Sequence, residues 1–213
     1  MKNLAHFIDH TNLKPDAQET DIKVLCNEAI KYDFASVCIN PVYVPIAKSL
    51  LRDANSLVCS VVGFPLGADS AEMKYAEARF LIFNGVDEID MVINIGSLKE
   101  RRTNIVKKEI KKVVDAAEGK IVKVIIETSL LENDEKILAS NLVKDCGANF
   151  VKTSTGFSKG GATIEDVELI KETVGDAIGI KASGGIKNKE AAISFIQAGA
   201  SRIGTSNGVK IIS

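Results

Sequence analysis

Tryptophan is absent from this 213-residue chain, and aromatic residues make up only 5% of it. The core must therefore be built from aliphatic side chains. Histidine occurs only at His6 and His10. A catalytic zinc takes three protein ligands and a water, and this pair lacks the companions such a site needs. The four cysteines, Cys26, Cys38, Cys59 and Cys146, form no CxxC pair. They read as free thiols in a reducing, cytoplasmic protein. The N-terminal MKNLAHFIDH has no long apolar stretch of the secretory kind. No run approaches the roughly 18 apolar residues that a bilayer span needs, so no membrane partner is expected. Charge of one sign is missing as well, with 27 basic against 28 acidic residues, and nucleic acid is an unpromising partner without a basic excess. GxGxxG, GxSxG, P-loop and HExxH motifs do not occur.

What remains is an ordinary globular balance, 46% hydrophobic and 26% charged. A chain of this length buries roughly 70% of its unfolded surface and needs no staple to hold a core. Short β-branched runs alternate with stretches of helical periodicity. The strands are predicted at Leu4–Asp9, Ser36–Ile39, Leu57–Gly63, Glu88–Asn94, Val122–Thr128, Phe150–Ser154, Ile178–Ser183 and Arg202–Thr205. Helices are predicted at Asp21–Lys31, Val44–Leu51, Ala71–Phe83, Asn104–Ala117, Asp134–Cys146, Ile164–Val174 and Lys189–Ala198. Glycines close several of them, as in Cys146-Gly147 and Ala198-Gly199. Strands alternating with helices imply parallel strands joined by crossovers. Eight such units point to an α/β fold of the (β/α)8 barrel type, one domain over residues 1–213. Only Val209–Ser213 remain for the eighth helix. That helix should be truncated, leaving an apolar gap in the outer ring that a second subunit would cover.

Strand parity locates the chemistry. Alternate residues of a strand face opposite sides, and in a barrel one side meets the helices while the other fills the interior. Ile89, Met91 and Ile93 belong to the helix side, so Asp90 points inward. Val151 and Thr153 send Lys152 inward, and Ile180 with Ala182 does the same for Lys181. Asp9 and Cys38 face inward by the same rule. Lysine and aspartate are rarely buried unless paired or used. Each alone reads most simply as a structural ion pair; two lysines and two aspartates in one interior point to a use. A lysine amine attacks a carbonyl when neutral, and a neighbouring ammonium favours that state. Lys152 and Lys181 on adjacent strands supply the arrangement, with Asp90 placed for proton transfer. Cys38 is read as a residue lining the substrate space, not as a nucleophile.

Glycine-rich turns follow the last two strands: Ser183-Gly184-Gly185-Ile186 and Gly204-Thr205-Ser206-Asn207-Gly208. In (β/α)8 barrels the loops after strands 7 and 8 commonly hold phosphate. The loop Thr153-Ser154-Thr155-Gly156 adds hydroxyls beyond Lys152. The lysine-rich run Lys107–Lys112 reads as the solvated face of a helix.

FIDHTN (7–12), DMVINIG (90–96), VIIET (124–128), VKTSTG (151–156), GGAT (160–163) and IKASGGI (180–186) together resemble the deoxyribose-phosphate aldolase family over nearly the whole chain. The resemblance implies a class I, Schiff-base aldolase working without metal or cofactor. The reaction implied is reversible cleavage of 2-deoxy-D-ribose 5-phosphate, a step of deoxyribose phosphate catabolism, to acetaldehyde and D-glyceraldehyde 3-phosphate. By position, Lys152 resembles the Schiff-base lysine and Lys181 the lysine that perturbs it. Asp90 resembles the proton donor and acceptor, and Asp9 a supporting carboxylate. Thr155, Gly156, Gly184, Gly185, Ser206 and Asn207 fall where the family holds substrate and phosphate. A homodimer is expected from the family. Lys159 departs from the smaller polar residue expected there, and the C-terminus is shorter than in many relatives. Two other readings stay open: another Schiff-base phosphosugar aldolase or transaldolase, and a non-catalytic phosphosugar-binding barrel.

Overall fold

The computed structural model describes residues 4–213. Its first half runs through a turn at Leu4–Phe7, then β1 (Ile8–Asn12), α1 (Glu19–Tyr32), β2 (Ser36–Ile39), α2 (Val44–Leu50), β3 (Leu57–Val62), α3 (Ala71–Phe83) and β4 (Glu88–Val92). The second half follows as α4 (Ile95–Lys99), α5 (Thr103–Ala116), β5 (Ile121–Ile125), α6 (Asn133–Asp145), β6 (Phe150–Lys152), α7 (Ile164–Val174), β7 (Gly179–Ser183), α8 (Lys189–Gln197), β8 (Arg202–Thr205) and α9 (Gly208–Ile212). All neighbouring strands pair in parallel, and β8 returns to β1 to close an eight-stranded barrel in sequence order.

Local chemistry explains the elements. In α5, Val106, Ile110 and Val113 are buried against the barrel while Lys107, Lys108 and Lys111 face water, the period expected of a helix covering a sheet. Ser70 caps α3 by accepting the Met73 N–H, and Thr163 caps α7 through the Asp166 N–H. Gly147 ends α6 with a φ of 82°, a conformation that favours glycine.

Two apolar layers result. The larger lies between strands and helices and includes Ile8, Val37, Ile39, Ile89, Met91, Val151 and Ile180. The smaller fills the barrel and consists of Leu13, Cys38, Cys59 and Val61, with Phe64 packed against it. This division is the one that strand parity predicts.

Three expectations need correction. The predicted first strand begins at Leu4, but Leu4–Phe7 forms a 3-10 turn and β1 starts at Ile8. A short apolar run carries too little periodicity to tell strand from helix. The five-residue α4, set by the Asn94 cap on the Ser97 N–H, is too short to register as a period. Among the described residues the apolar gap beside the eighth helix is not observed either. The helix is indeed reduced to five residues, but the Leu4–Phe7 turn packs against α9, where Ile211 is buried. Large exposed apolar residues occur instead on α3, at Met73, Phe80 and Phe83.

Candidate active site

Inward-facing positions of six strands bring seven charged groups together. Asp90 on β4 is the hub. Its Oδ2 accepts from Lys152 Nζ at 2.8 Å and from Lys181 Nζ at 2.7 Å, so the two lysines share one oxygen. Its Oδ1 accepts from Lys123 Nζ at 2.9 Å and from Cys59 Sγ at 3.2 Å. Lys181 also reaches Asp9 Oδ2 at 2.5 Å. Arg202 donates to Asp9 Oδ1 at 2.6 Å through Nε, and its two terminal nitrogens fork onto Glu88 at 2.9 and 2.8 Å. Lys123 closes the network on Glu88 at 2.6 Å. Register explains the assembly: Lys152 lies beside Lys181, Lys181 beside Arg202, and Asp90 beside Lys123 on paired strands.

Burial and charge work against each other throughout. Burial alone would raise the carboxyl of Asp90, but Lys123, Lys152 and Lys181 outweigh it and hold the group well below the usual range. Asp9 behaves likewise: burial raises it, and the charges of Arg202, Lys181 and Lys123 bring it down. For Lys181, burial pushes down while Asp9 and Asp90 push up harder, so the ammonium is kept above its ordinary value. Lys123 follows the same pattern, with burial opposed first by Asp90. The Cys59 hydrogen bond pulls the Cys38 thiol down, whereas burial drives Cys59 up. Four basic groups thus meet three carboxylates, which leaves one surplus positive charge. Cys38, Cys59 and Asp90 place possible metal ligands within 4.8 Å of one another. The ammoniums of Lys123 and Lys181 on Asp90 would repel a cation there.

Above this cluster opens a cavity of about 520 Å³. Lys152 reaches it, while Lys181, Asp90 and Asp9 lie beneath and are fully buried. Thr155, Gly156, Gly184, Gly185, Ser206 and Asn207 all line the cavity. Gly184 has φ 89° and sits where an added Cβ would come within 2.9 Å of the Gly161 Cα. The chain there needs glycine twice over, for conformation and for close approach. Cys38 does not line the cavity. Its position within β2 puts it lower in the barrel, buried, with Sγ 4.0 Å from Asp90 Oδ2. Lys159 is exposed and away from the cavity, whereas Lys14 and Lys187 contribute to the wall.

Several functional candidates escape the sequence reading. Lys187 stands two residues beyond the Gly184-Gly185 turn and lines the same cavity. Lys123 faces inward by the same parity as Lys152, between Val122 and Val124, and its signal is present but hidden in an apolar run. Glu88 and Arg202 start their strands, where charged residues ordinarily meet solvent. Here they form the floor of the network instead. His10 lines the cavity and bonds Glu28 at 2.6 Å through Nε2.

Comparison with known proteins gives the chain a family. Residues 4–213 match the family model described as DeoC/LacD family aldolase. The deoxyribose-phosphate aldolase of Caldicellulosiruptor saccharolyticus is 58% identical over 100% of this chain and 98% of its own. Deoxyribose-phosphate aldolase 1 of Bacillus licheniformis is 56% identical over 99% of this chain and 95% of its own. Among solved structures, the tetrameric deoxyribose phosphate aldolase from Aeropyrum pernix superposes with a TM-score of 0.91 at 35% identity, covering 98% of this chain and 89% of that one. A Lys–Asp–Lys cluster under a glycine-walled cavity, a closed parallel barrel and a family match along all the described residues lead to one conclusion: the chain belongs to the DeoC/LacD family of aldolases.

Proposed function

We propose that this aldolase reversibly cleaves 2-deoxy-D-ribose 5-phosphate to acetaldehyde and D-glyceraldehyde 3-phosphate through a Schiff base on Lys152. The observation that carries the reading is that Lys152 is the member of the buried lysine cluster that reaches the cavity, opposite the glycine loops. The surplus positive charge of the cluster disappears when one lysine is uncharged, and Lys152 stands at the mouth where a carbonyl arrives.

The steps follow from that placement. The neutral Lys152 amine adds to the C1 carbonyl of the open-chain sugar, and loss of water gives the iminium. A base takes the C3 hydroxyl proton; the C2–C3 bond then breaks, its electrons moving to the iminium as C3 becomes the carbonyl of glyceraldehyde 3-phosphate. Protonation of the resulting enamine at C2 and hydrolysis release acetaldehyde and regenerate Lys152. Asp90, bonded to Lys152 and Lys181 through one oxygen, is placed to move these protons. Lys181, held as an ammonium by Asp9 and Asp90, supplies positive charge and a proton source beside the nitrogen. Asp9 touches Lys181 and Arg202 below the cavity and acts by positioning them. The Gly184-Gly185 and Ser206-Asn207 turns, with Lys187, are assigned to the phosphate.

The test is substrate cleavage with a dehydrogenase reporting glyceraldehyde 3-phosphate, run beside other phosphosugars of similar size. Turnover restricted to 2-deoxyribose 5-phosphate supports the assignment. Preferential cleavage of another phosphosugar, or phosphosugar binding without turnover, would replace it. We further assign the protein to the cytoplasm, in keeping with four free thiols, and to a homodimer, with exposed apolar residues on α3 available to a second copy. Among the described residues no helix is long and apolar enough to cross a membrane. Light scattering that reports only monomer would remove the dimer.

A further inference from the structure

Glu127 has no part in the chemistry above, yet its carboxylate is buried beside the cavity. Its backbone takes the left-handed conformation, φ 54° and ψ 66°, which is uncommon for a non-glycine residue. Both carboxylate oxygens are committed to Thr155. The Thr155 N–H lies 3.3 Å from each, and the Thr155 hydroxyl donates to Oε2 at 2.5 Å. That hydroxyl in turn accepts the Phe157 N–H at 3.1 Å. A threonine hydroxyl has one proton and two lone pairs. The proton goes to Glu127 and one lone pair to Phe157, so a lone pair is what Thr155 offers the cavity it lines.

We infer that Glu127 sets substrate specificity by locking the Thr155 hydroxyl as an acceptor, so that the site selects an aldehyde bearing a hydroxyl on the carbon next to its carbonyl. The inference rests on the proposed reaction. Thr155 lies three residues past Lys152, and its loop is fastened to the phosphate loop by the Ser183 hydroxyl, which donates to the Ser154 carbonyl at 2.6 Å. Thr155 lines the same cavity as Lys152 and the Gly184-Gly185 turn, so on the proposed reaction it faces the stretch of substrate between the imine and the phosphate. Two substrate oxygens occupy that interval. The reacting one is a carbonyl in the three-carbon product and has no proton to give an acceptor. It is matched to the proton-transfer groups below, Asp90 with its lysines. The other remains a hydroxyl on both sides of the reaction and is a donor throughout, as an acceptor-only Thr155 requires. Glu127 is thus a positioning residue that acts through Thr155.

The experiment measures kcat/KM for acetaldehyde addition to D-glyceraldehyde 3-phosphate and to 3-oxopropyl phosphate, which lacks the hydroxyl. Wild type is expected to prefer the hydroxylated aldehyde. Glu127→Gln replaces one acceptor by a donor and frees the Thr155 proton to turn into the cavity. The preference should fall about tenfold, through loss on the hydroxylated aldehyde alone. Thr155→Val should erase the same preference and Thr155→Ser should keep it; these two decide the matter if Glu127→Gln does not fold. Equal slowing on both aldehydes, or a wild type without preference, would overturn the inference. Acetaldehyde with borohydride should still label Lys152 in every variant. A wild type that takes no label brings down the Schiff-base reading itself, whereas label with unchanged preference brings down only the role of Glu127.

Discussion

Replacing Lys123 by methionine is the sharpest perturbation of the charge network. Its ammonium is fully buried and pairs with two fully buried carboxylates, Glu88 at 2.6 Å and Asp90 at 2.9 Å. Methionine matches the length of the stem but removes the charge, leaving Glu88 to Arg202 alone and Asp90 to the two remaining lysines. Breaking a buried pair by removing one partner costs about 3–5 kcal/mol, because the other charge stays uncompensated. For a chain of this size each kcal/mol shifts the melting temperature by about 2–4 °C, so a fall of about 10 °C is expected. Urea unfolding followed by circular dichroism measures the loss. The double variant Lys123→Met/Glu88→Gln supplies the control, since it removes a carboxylate that has lost its lysine. Its cost should be clearly less than the sum of the two single costs. A loss below about 1 kcal/mol for Lys123→Met, or strict additivity in the cycle, would refute the view that these groups form one compensated unit.

Lys181→Met should lower kcat by about 10²–10⁴, the range of a lost proton-transfer group, with substrate binding retained in a titration. Lys187→Ala should raise KM for the phosphorylated substrate several-fold and leave turnover of unphosphorylated 2-deoxyribose alone; an equal effect on both sugars would remove Lys187 from the phosphate loop. Gly184→Ala forces a side chain into a φ of 89° and against Gly161, and should impair phosphate binding in the same assay. Stability should depend on pH at both ends. Asp9 and Asp90 have folded values below the unfolded 3.8. Their contribution is therefore complete above about pH 5 and is lost as pH falls through the folded values. Lys123 and Lys181 lie above their unfolded 10.5, so their contribution is complete below it and fades as pH rises beyond. Urea midpoints should form a plateau between these limits, and Asp9→Asn should flatten the acid limb.

Much of this was readable in the chain because parity is a simple geometric rule. Once Ile89 and Met91 belong to the helix side, Asp90 has only the interior left, and Lys152 and Lys181 follow from Val151 and Ile180. The glycine turns are legible for a similar reason, since Gly184 and Gly185 mark backbone that side chains would block. Lys123 is missed although the same rule covers it, because Val122–Ile126 presents an almost continuous apolar run in which one lysine passes for a snorkelling residue. Glu88 and Arg202 are missed because only closure of the barrel brings the start of β4 opposite the start of β8. The depth of Cys38 and the plugging of the outer ring by Leu4–Phe7 depend on three-dimensional packing that no spacing encodes. Glu127 is visible only through its hydrogen bonds to Thr155, because a glutamate after a strand otherwise reads as solvent-facing.

The central claim is that Lys152 carries the substrate. The protein is incubated with acetaldehyde, reduced with borohydride and digested, and the adduct is mapped by peptide mass spectrometry beside a Lys152→Ala control. A two-carbon adduct on Lys152, absent from the control, is the predicted result. Folded protein with no adduct on Lys152, or with the adduct on Lys181 instead, would contradict it.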